Sequence, residues 1–409
     1  MLGGLDDNQK RILWVLTLIN VINYADRQLI FPLFGSIKAE FGITDFQLGL
    51  LGTYFLLVHS LASVPLGYFA DRFDRRKIIA GSLIFWTFTS FFTGMANNFK
   101  QLLHIRTWVG VGEAGYAPAA AAMITDDFDP KVRGRVQGIF NSGMFIGGTI
   151  GTIAGAWLVS YFGDWRLCFF IVSPLGLLFA GLVFKLKDHR AAEVTEKVKP
   201  WVLFKIKAYL WILLSGIFVV FASGGYLSWA IEYFTRKDGL GMSLNYAATL
   251  MGLLVLGAGA LGIYMGSAWG DKLQLRLKYG RSIVIASFVT FSAPLLGIAL
   301  YFSHIRSVFL VFFFLGITCF CAYLGPITAV IHDVTPKQYR ATAYAVYLFV
   351  THTLGDALAP ALIGRISDMS NLKVALAWTT VVLFAGGLTF FPVAWMIKKD
   401  KTVLNGELA

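Results

Sequence analysis

Four ionisable side chains lie inside sequence segments that are otherwise apolar. Asp26 and Arg27 are neighbours in the first of these segments, and Arg106 and Glu113 lie two helical turns apart in the fourth. Because burying a charge in hydrocarbon is costly, such residues usually line a cavity or contact a partner. The four formal charges cancel. We therefore predict a cluster in which Glu113 and Asp26 carry a proton and the two arginines bind an anionic group. A static salt-bridge cluster that only fixes helix positions is the alternative.

Further polar residues within the apolar segments are candidates for contacting a substrate. Asn23 lies one turn before Arg27 and extends its polar stripe. His352 and Asp356 are also one turn apart, so they either share a proton or form a structural hydrogen bond. The residues predicted to bind substrate are Arg27, Arg106, Asn23, Tyr116, Asn141, Tyr347 and His352. For any single tyrosine among them, packing in the core is the competing interpretation.

The composition excludes a soluble globular protein. Of the 409 residues, 57% are hydrophobic and only 14% are charged, whereas a soluble domain carries about 25% charged residues. At roughly 20 residues per span, the chain has room for about twelve membrane-spanning helices. We predict an all-α membrane protein whose spans fall near residues 12–35, 46–70, 78–98, 101–125, 136–162, 167–184, 208–234, 243–269, 282–303, 307–331, 341–364 and 374–397.

The net charge of +12 reflects membrane topology. Most of the 35 Lys and Arg residues fall in the connections on the side that holds both termini. The positive-inside rule therefore places both termini in the cytoplasm and the protein in the cytoplasmic membrane. The first apolar segment lacks the features of a cleaved signal peptide, so it is predicted to be a retained span. This distribution gives no reason to predict nucleic-acid binding, and membrane lipids are the expected surroundings.

The chain is divided almost in half by a polar, basic connection at residues 185–205. We predict two six-helix bundles, at 1–184 and 206–409, joined by this cytoplasmic linker. The halves resemble each other, because GYFADRFDRRK after the second span is echoed by GSAWGDKLQLR after the eighth. Such an internal duplication suits alternating access by rocking of one bundle against the other.

The segment GYFADRFDRRK, Gly67 to Lys77, resembles the signature between the second and third spans of the major facilitator superfamily. Asp71 is predicted at a helix C-terminus, where its charge opposes the helix dipole and requires an outside partner. A contact that exists only when the cytoplasmic side is closed would act as a latch. The predicted latch comprises Gly67, Asp71, Arg72, Arg75 and Arg76, with Arg133 or Arg340 as partners. The basic residues are alternatively topology anchors. Asp74 stands where the family pattern usually has glycine.

Three other segments resemble the Spinster branch of that superfamily, whose transporters are associated with sphingosine phosphate and lysophospholipids. They are NYADRQ from Asn23, RTWVGVGEAGYAPAAAAMITDDF from Arg106, and HTLGDALAPALIGRISD from His352. The resemblance implies that the first, fourth, seventh and tenth spans line a central cavity, and that the substrate has a lipid-like tail. The residues themselves predict only its anionic head.

Several functions and cofactors are disfavoured by missing motifs. The phosphate-binding pattern GxxxxGK[ST] is absent, which argues against ATP-driven transport, and the chain has no Cys and His cluster that would bind a metal. We predict a monomeric, proton-coupled secondary transporter without a cofactor. A sugar-phosphate or organic-anion carrier is the alternative within transport. An intramembrane lipid hydrolase and a scramblase-like channel are alternatives from other classes.

Overall fold

The computed structural model describes residues 5–188 and 200–399, with the side chains of Asp71, Pro130, Lys131, Lys398 and Lys399 excepted. This part of the chain is helical. The helices of the first half are α1 (Asp7–Leu29), α2 (Phe34–Phe41), α3 (Asp45–Arg72), α4 (Arg75–Thr93), α5 (Phe99–Ala114), α6 (Tyr116–Asp127), α7 (Pro130–Phe162), α8 (Trp165–Val172) and α9 (Leu175–Val183). Those of the second half are α10 (Lys207–Thr235), α11 (Leu244–Gln274), α12 (Gly280–Tyr301), α13 (Arg306–Cys321), α14 (Ile327–Val334), α15 (Arg340–Thr351), α16 (Ala359–Met369), α17 (Leu372–Leu388) and α18 (Phe391–Lys399).

Short interruptions divide several of the predicted spans into two helices. α5 and α6 meet at Gly115, α8 and α9 meet at Ser173 and Pro174, and a stretch of turns separates α13 from α14. Between α15 and α16, residues His352–Asp356 form a π-helical turn. Within the described ranges, eight helical segments are long and apolar enough to cross a membrane, and α13 is a shorter apolar helix. The all-α architecture and the duplicated twelve-helix arrangement predicted from the sequence are confirmed.

The chain forms two compact units. One comprises Met1–Val194 with Met242–Leu253, and the other comprises Thr195–Gly241 with Leu254–Ala409. Within the first unit α1 packs on α7, α3 on α5, and α4 on α9. Within the second, α10 packs on α15 and α16, and α12 on α17. The first span thus packs on the fifth, and the seventh span packs on the eleventh, which is the equivalent pairing in the second half. The bundle boundaries predicted at 184 and 206 stay predictions, and most of the linker, 189–199, lies outside the described residues.

A stripe of glycines lets α7 approach α1 closely. Gly143, Gly147, Gly151 and Gly155 recur every fourth residue, so they lie along one face of α7. A Cβ at Gly147 would overlap the carbonyl group of Val21 on α1, and one at Gly151 would overlap that of Ala25. Small residues support such backbone contact between membrane helices. This contact fixes the position of the segment of α1 that carries Asp26 and Arg27.

Replacing Gly147 with Ala is expected to destabilise the protein by about 1–3 kcal/mol, because the added methyl group overpacks the contact with α1. The neighbouring Gly148→Ala is a matched control, since a Cβ there would meet only the Gln28 side chain at an ordinary 3.5 Å. Both changes raise helix propensity by the same amount. Thermal unfolding of the purified protein in detergent measures the difference. Equal stability of the two variants would show that α1 and α7 do not rely on this contact.

Candidate functional site

An ion pair inside the first unit joins α1 to α5. Arg27 donates from Nη2 and Nε to Oε2 of Glu113, at 3.0 Å and 3.2 Å. The side chain of Glu113 is fully buried and that of Arg27 is 14% exposed. The second carboxylate oxygen, Oε1, has no hydrogen-bond partner within the described chain. The sequence spacing placed Arg106 on the same face of α5 as Glu113, yet the hydrogen-bonded partner of Glu113 comes from α1.

Arg27 has a second polar contact, with a histidine on α3. Its Nη2 lies 2.9 Å from Nε2 of His59. Since a guanidinium has only donors, His59 must present an unprotonated Nε2 for this to be a hydrogen bond. The guanidinium also lies 4.9 Å from the ring of Tyr24 and 5.2 Å from that of Phe55. An imidazole, a carboxylate and two aromatic faces therefore surround the Arg27 guanidinium.

Arg106 is a buried arginine whose hydrogen-bonding capacity is not filled. Its residue surface is 1% exposed, and neither Nε nor Nη1 has a hydrogen-bond partner in the part of the chain that the structure describes. The guanidinium lies 5.0 Å from the Phe55 ring, on which Arg27 also packs. A buried cation with free donors is costly to maintain. Such a side chain is suited to binding an anion.

Asp26 is held by neutral donors from α4. Trp86 Nε1 donates to Oδ2 at 3.0 Å, and Ser90 Oγ donates to Oδ1 at 2.6 Å. All three residues are buried, and Asp26 and Ser90 are fully so. Asp26 and Arg27 therefore leave α1 in different directions, as their adjacency in a helix requires. Neither Trp86 nor Ser90 was identified from the sequence, because one aromatic residue and one serine in an apolar span carry no distinguishing signal.

Replacing Ser90 with Ala is expected to cost about 1–3 kcal/mol of stability, since one oxygen of the buried Asp26 carboxylate loses its donor. Ser90→Thr is the matched control, because it keeps a hydroxyl at the same position. Chemical denaturation in detergent micelles provides the measurement. If Ser90→Ala unfolds at the same denaturant concentration as Ser90→Thr, the hydroxyl does not stabilise Asp26.

The remaining predicted substrate residues differ in their surroundings. Asn23 is 3% exposed and its Nδ2 has no partner among the described residues, so it offers a donor beside the cluster. Tyr116 is buried, and its hydroxyl donates to the Leu16 carbonyl at 2.5 Å. Asn141 is exposed on α7 and accepts from Gln137 at 3.3 Å. The free amide of Asn23 distinguishes it from Tyr116, whose hydroxyl already holds α6 against α1.

Tyr347 and His352 belong to the second unit. The hydroxyl of the buried Tyr347 is hydrogen-bonded to that of Tyr323. His352 begins the π-helical turn, and its Nδ1 lies 2.7 Å from Oδ2 of Asp356. The Ala357 N–H bonds to the His352 carbonyl at 3.0 Å, which closes the wider π turn. Such turns often occur at functional sites, and this one falls in the HTLGD segment that resembles the Spinster branch.

Two of the predicted latch residues, at the start of α4, contact acidic side chains. Arg75 is buried and its Nη1 lies 2.6 Å from Asp126 and 3.6 Å from Asp188. Arg76 donates to Asp74, and this contact lowers the pKa of the Asp74 carboxyl below its usual range. Asp74 also caps α4 by accepting from the Arg76 N–H, which accounts for the residue at the position where the family pattern has glycine.

The other latch residues are placed as follows. Arg72 lies 3.9 Å from the Tyr68 ring, Arg133 donates to the Phe128 carbonyl, and Arg340 donates to the His332 carbonyl. A Cβ at Gly67 would meet Pro118 at an ordinary 3.6 Å, so the present packing does not require glycine there. The side chain of Asp71 lies outside the described residues.

Comparison with known proteins identifies the family. Residues 16–360 match the sequence model of the Major Facilitator Superfamily. The chain belongs to this superfamily. Spinster homolog 1 of Xenopus laevis is 28% identical over 427 residues, which cover 95% of this chain and 81% of that protein. The mouse homolog is 27% identical over 429 residues with the same coverage of each chain. The resemblance to the Spinster branch therefore extends over almost the whole chain.

Solved structures agree with that assignment at the level of the fold. A bacterial homolog of the human lysosomal transporter Spinster, in an inward-facing and occupied conformation, matches with a TM-score of 0.83 and 23% identity, covering 98% of this chain and 100% of that one. A D-xylose-proton symporter matches with a TM-score of 0.77 and 17% identity, covering 98% and 99%. This Spinster-like protein is an integral membrane secondary transporter of a small-molecule substrate, and its family and fold are those of transporters.

Proposed function

We propose that this transporter moves a lipid-like amphiphile with an anionic or zwitterionic head group, of the lysophospholipid or sphingoid phosphate class, and that this transport is coupled to protons. The observation that carries the proposal is the buried Arg106, whose Nε and Nη1 donors have no partner within the described chain. Phosphate and carboxylate groups match the forked donors of a guanidinium. The lipid-like tail is inferred from the resemblance to Spinster proteins.

The contacts of Glu113 support the proposal of proton coupling. While its carboxylate is ionised, Oε2 accepts both donors of Arg27. A proton on Glu113 removes the negative charge from this pair, so that Arg27 becomes available to an anionic head group. Binding of the anion and protonation of Glu113 then favour each other. Asp26 is the second candidate for the proton, but its present partners, Trp86 and Ser90, are neutral donors.

Alternating access by rocking of two bundles is the proposed transport cycle. Asp71, Arg72, Arg75 and Arg76 form the proposed latch for the state that is closed toward the cytoplasm, with Arg133 or Arg340 as partners. We further propose that the transporter acts as a monomer. Both termini are placed in the cytoplasm because of the distribution of Lys and Arg.

The proposed orientation can be tested by labelling single cysteines in intact cells. Cysteines at Ser36 and Asn371 are expected to react with an impermeant maleimide added outside, because these connections carry few basic residues. A single cysteine at Lys278 is expected to react only after the cells are opened. Reaction of the cysteine at Lys278 in intact cells, with none at Ser36, would show that the topology is the opposite of the one proposed.

Uptake by proteoliposomes tests the substrate class. A panel of labelled lysophospholipids is compared with sugar phosphates, each with and without an imposed pH gradient. Saturable, gradient-dependent uptake of a lysophospholipid supports the proposal. Uptake of sugar phosphates instead would identify the organic-anion alternative, and uptake that neither saturates nor responds to the gradient would identify a channel.

A further inference from the structure

A groove of about 330 Å³ lies in the second unit, where α11 ends and α12 begins. It is lined by Trp269, Lys272, Leu273, Arg276 and Val284. The groove is separate from the Arg27 and Glu113 cluster, which belongs to the other unit. Its chemistry is mixed, with two cations at one end and aromatic and aliphatic side chains beside them.

The spacing of the lining residues explains why they meet. Lys272 and Leu273 lie three and four residues after Trp269, and Arg276 lies three residues after Leu273, which places the four along one face of α11 and its continuation. Val284 from α12 is buried and closes the groove from the other side. Because α11 is long and apolar enough to cross a membrane and ends at Gln274, the two cations lie where the span leaves the hydrocarbon.

No acidic side chain in the described part of the chain neutralises the positive charge of the groove. Asp271 and Asp333 both pair with Arg281, at 2.7 Å and 3.6 Å. Among the described residues, Lys272 and Arg276 form no ion pair with an acidic side chain. Both are exposed. Two uncompensated cations at a membrane surface attract an anion.

An apolar track continues from the groove along α12. The ring of Trp269 is 57% exposed and lies 5.4 Å from the ring of Phe288. Phe291, about one turn further along α12, is 66% exposed. Tryptophan is common at the boundary between lipid and water, where its ring spans both environments. The track therefore offers contact to an acyl chain directly below a site for a charged head group.

We propose that this groove binds an anionic glycerophospholipid of the leaflet that faces the termini. Lys272 and Arg276 contact the phosphodiester, and an acyl chain follows Trp269, Phe288 and Phe291. A head group without an amine fits best, because the two cations would repel an ammonium group. This lipid would stay bound at the surface of the transporter and would differ from the transported substrate.

Native mass spectrometry of the full-length protein in detergent tests the proposal. The purified, delipidated protein is titrated with phosphatidylglycerol and, in parallel, with phosphatidylethanolamine of the same chains. We expect one phosphatidylglycerol per protein to bind more tightly than any further ones. The double variant Lys272→Gln/Arg276→Gln is expected to lower the affinity for this lipid about tenfold or more, because two surface cations are lost. Trp269→Ala is expected to weaken it as well while leaving the charge unchanged.

The matched control is Lys278→Gln/Lys337→Gln, which removes two exposed basic residues of the same unit that do not line the groove. It is expected to bind phosphatidylglycerol as the native protein does. The proposal is overturned if the groove variant keeps native affinity, if the control loses as much affinity as the groove variant, or if phosphatidylethanolamine binds equally well. Circular dichroism of each variant establishes that it is folded.

Discussion

Replacing Glu113 with Gln is expected to abolish substrate accumulation driven by a pH gradient while leaving exchange at equal pH largely intact. Glutamine cannot take up a proton, so movement of substrate no longer carries one. Its neutral amide also resembles the protonated carboxylic acid, which leaves Arg27 available to an anionic head group. Exchange requires no net proton movement. Proteoliposomes with and without an imposed pH gradient, measured with the same labelled lysophospholipid, separate the two activities.

Another buried glutamate provides the matched control. Glu232 is 7% exposed and accepts from Arg236 at 2.8 Å at the end of α10, so Glu232→Gln also removes the charge from a buried ion pair. It is expected to retain gradient-driven accumulation. Asp26→Asn is expected to lose less coupling than Glu113→Gln. If the double variant Asp26→Asn/Glu113→Gln kept native proton coupling, the cluster would have a purely structural role.

Replacing Arg106 with Ala is expected to weaken binding of an anionic substrate by about 2–5 kcal/mol, the usual loss when one partner of a desolvated charge pair is removed. This corresponds to a loss of affinity between about 30-fold and several thousand-fold. The reason is that Nε and Nη1 have no hydrogen-bond partner within the described chain, so we expect them to donate to oxygen atoms of the ligand. Equilibrium binding of a fluorescent lysophospholipid to the detergent-solubilised protein measures the effect.

Folding and binding can be separated at this position with Arg106→Met. Methionine fills much of the same volume, and replacing a buried charge by a packed apolar side chain is often neutral or stabilising. We therefore expect Arg106→Met to unfold no more readily than the native protein but to bind the anionic ligand as weakly as Arg106→Ala. Native affinity in Arg106→Met would show that Arg106 does not contact the head group.

The presence of the charged cluster could be predicted from the sequence, because ionisable residues inside apolar segments are rare and costly. The adjacency of Asp26 and Arg27 also predicted that they point in different directions, and the contacts with Trp86 and Glu113 show this. Twelve spans in two similar halves followed from segment length, from charge and from the repeated signature. These features depend on local composition and on helical periodicity, which a single sequence displays.

The partners within the cluster could not be predicted, since they are set by how the helices pack. Glu113 shares a helix face with Arg106, yet its ion pair is with Arg27 on another helix. His59 was visible only as one polar residue among many, and its contact with Arg27 depends on how α3 and α1 are positioned by their other neighbours, α5 and α7. The glycine stripe of α7 explains the position of α1, but the stripe alone does not show which helix packs on it.

The central claim is that protonation of Glu113 and binding of an anionic head group favour each other. Proton uptake on ligand binding tests it most directly, with purified protein in weakly buffered detergent near neutral pH and a pH-indicator dye. Lysophosphatidylglycerol is the ligand, because its phosphodiester does not itself titrate near neutral pH. The account predicts proton uptake approaching one per ligand bound in the native protein and none in Glu113→Gln. Saturable binding with no proton uptake in the native protein would contradict it.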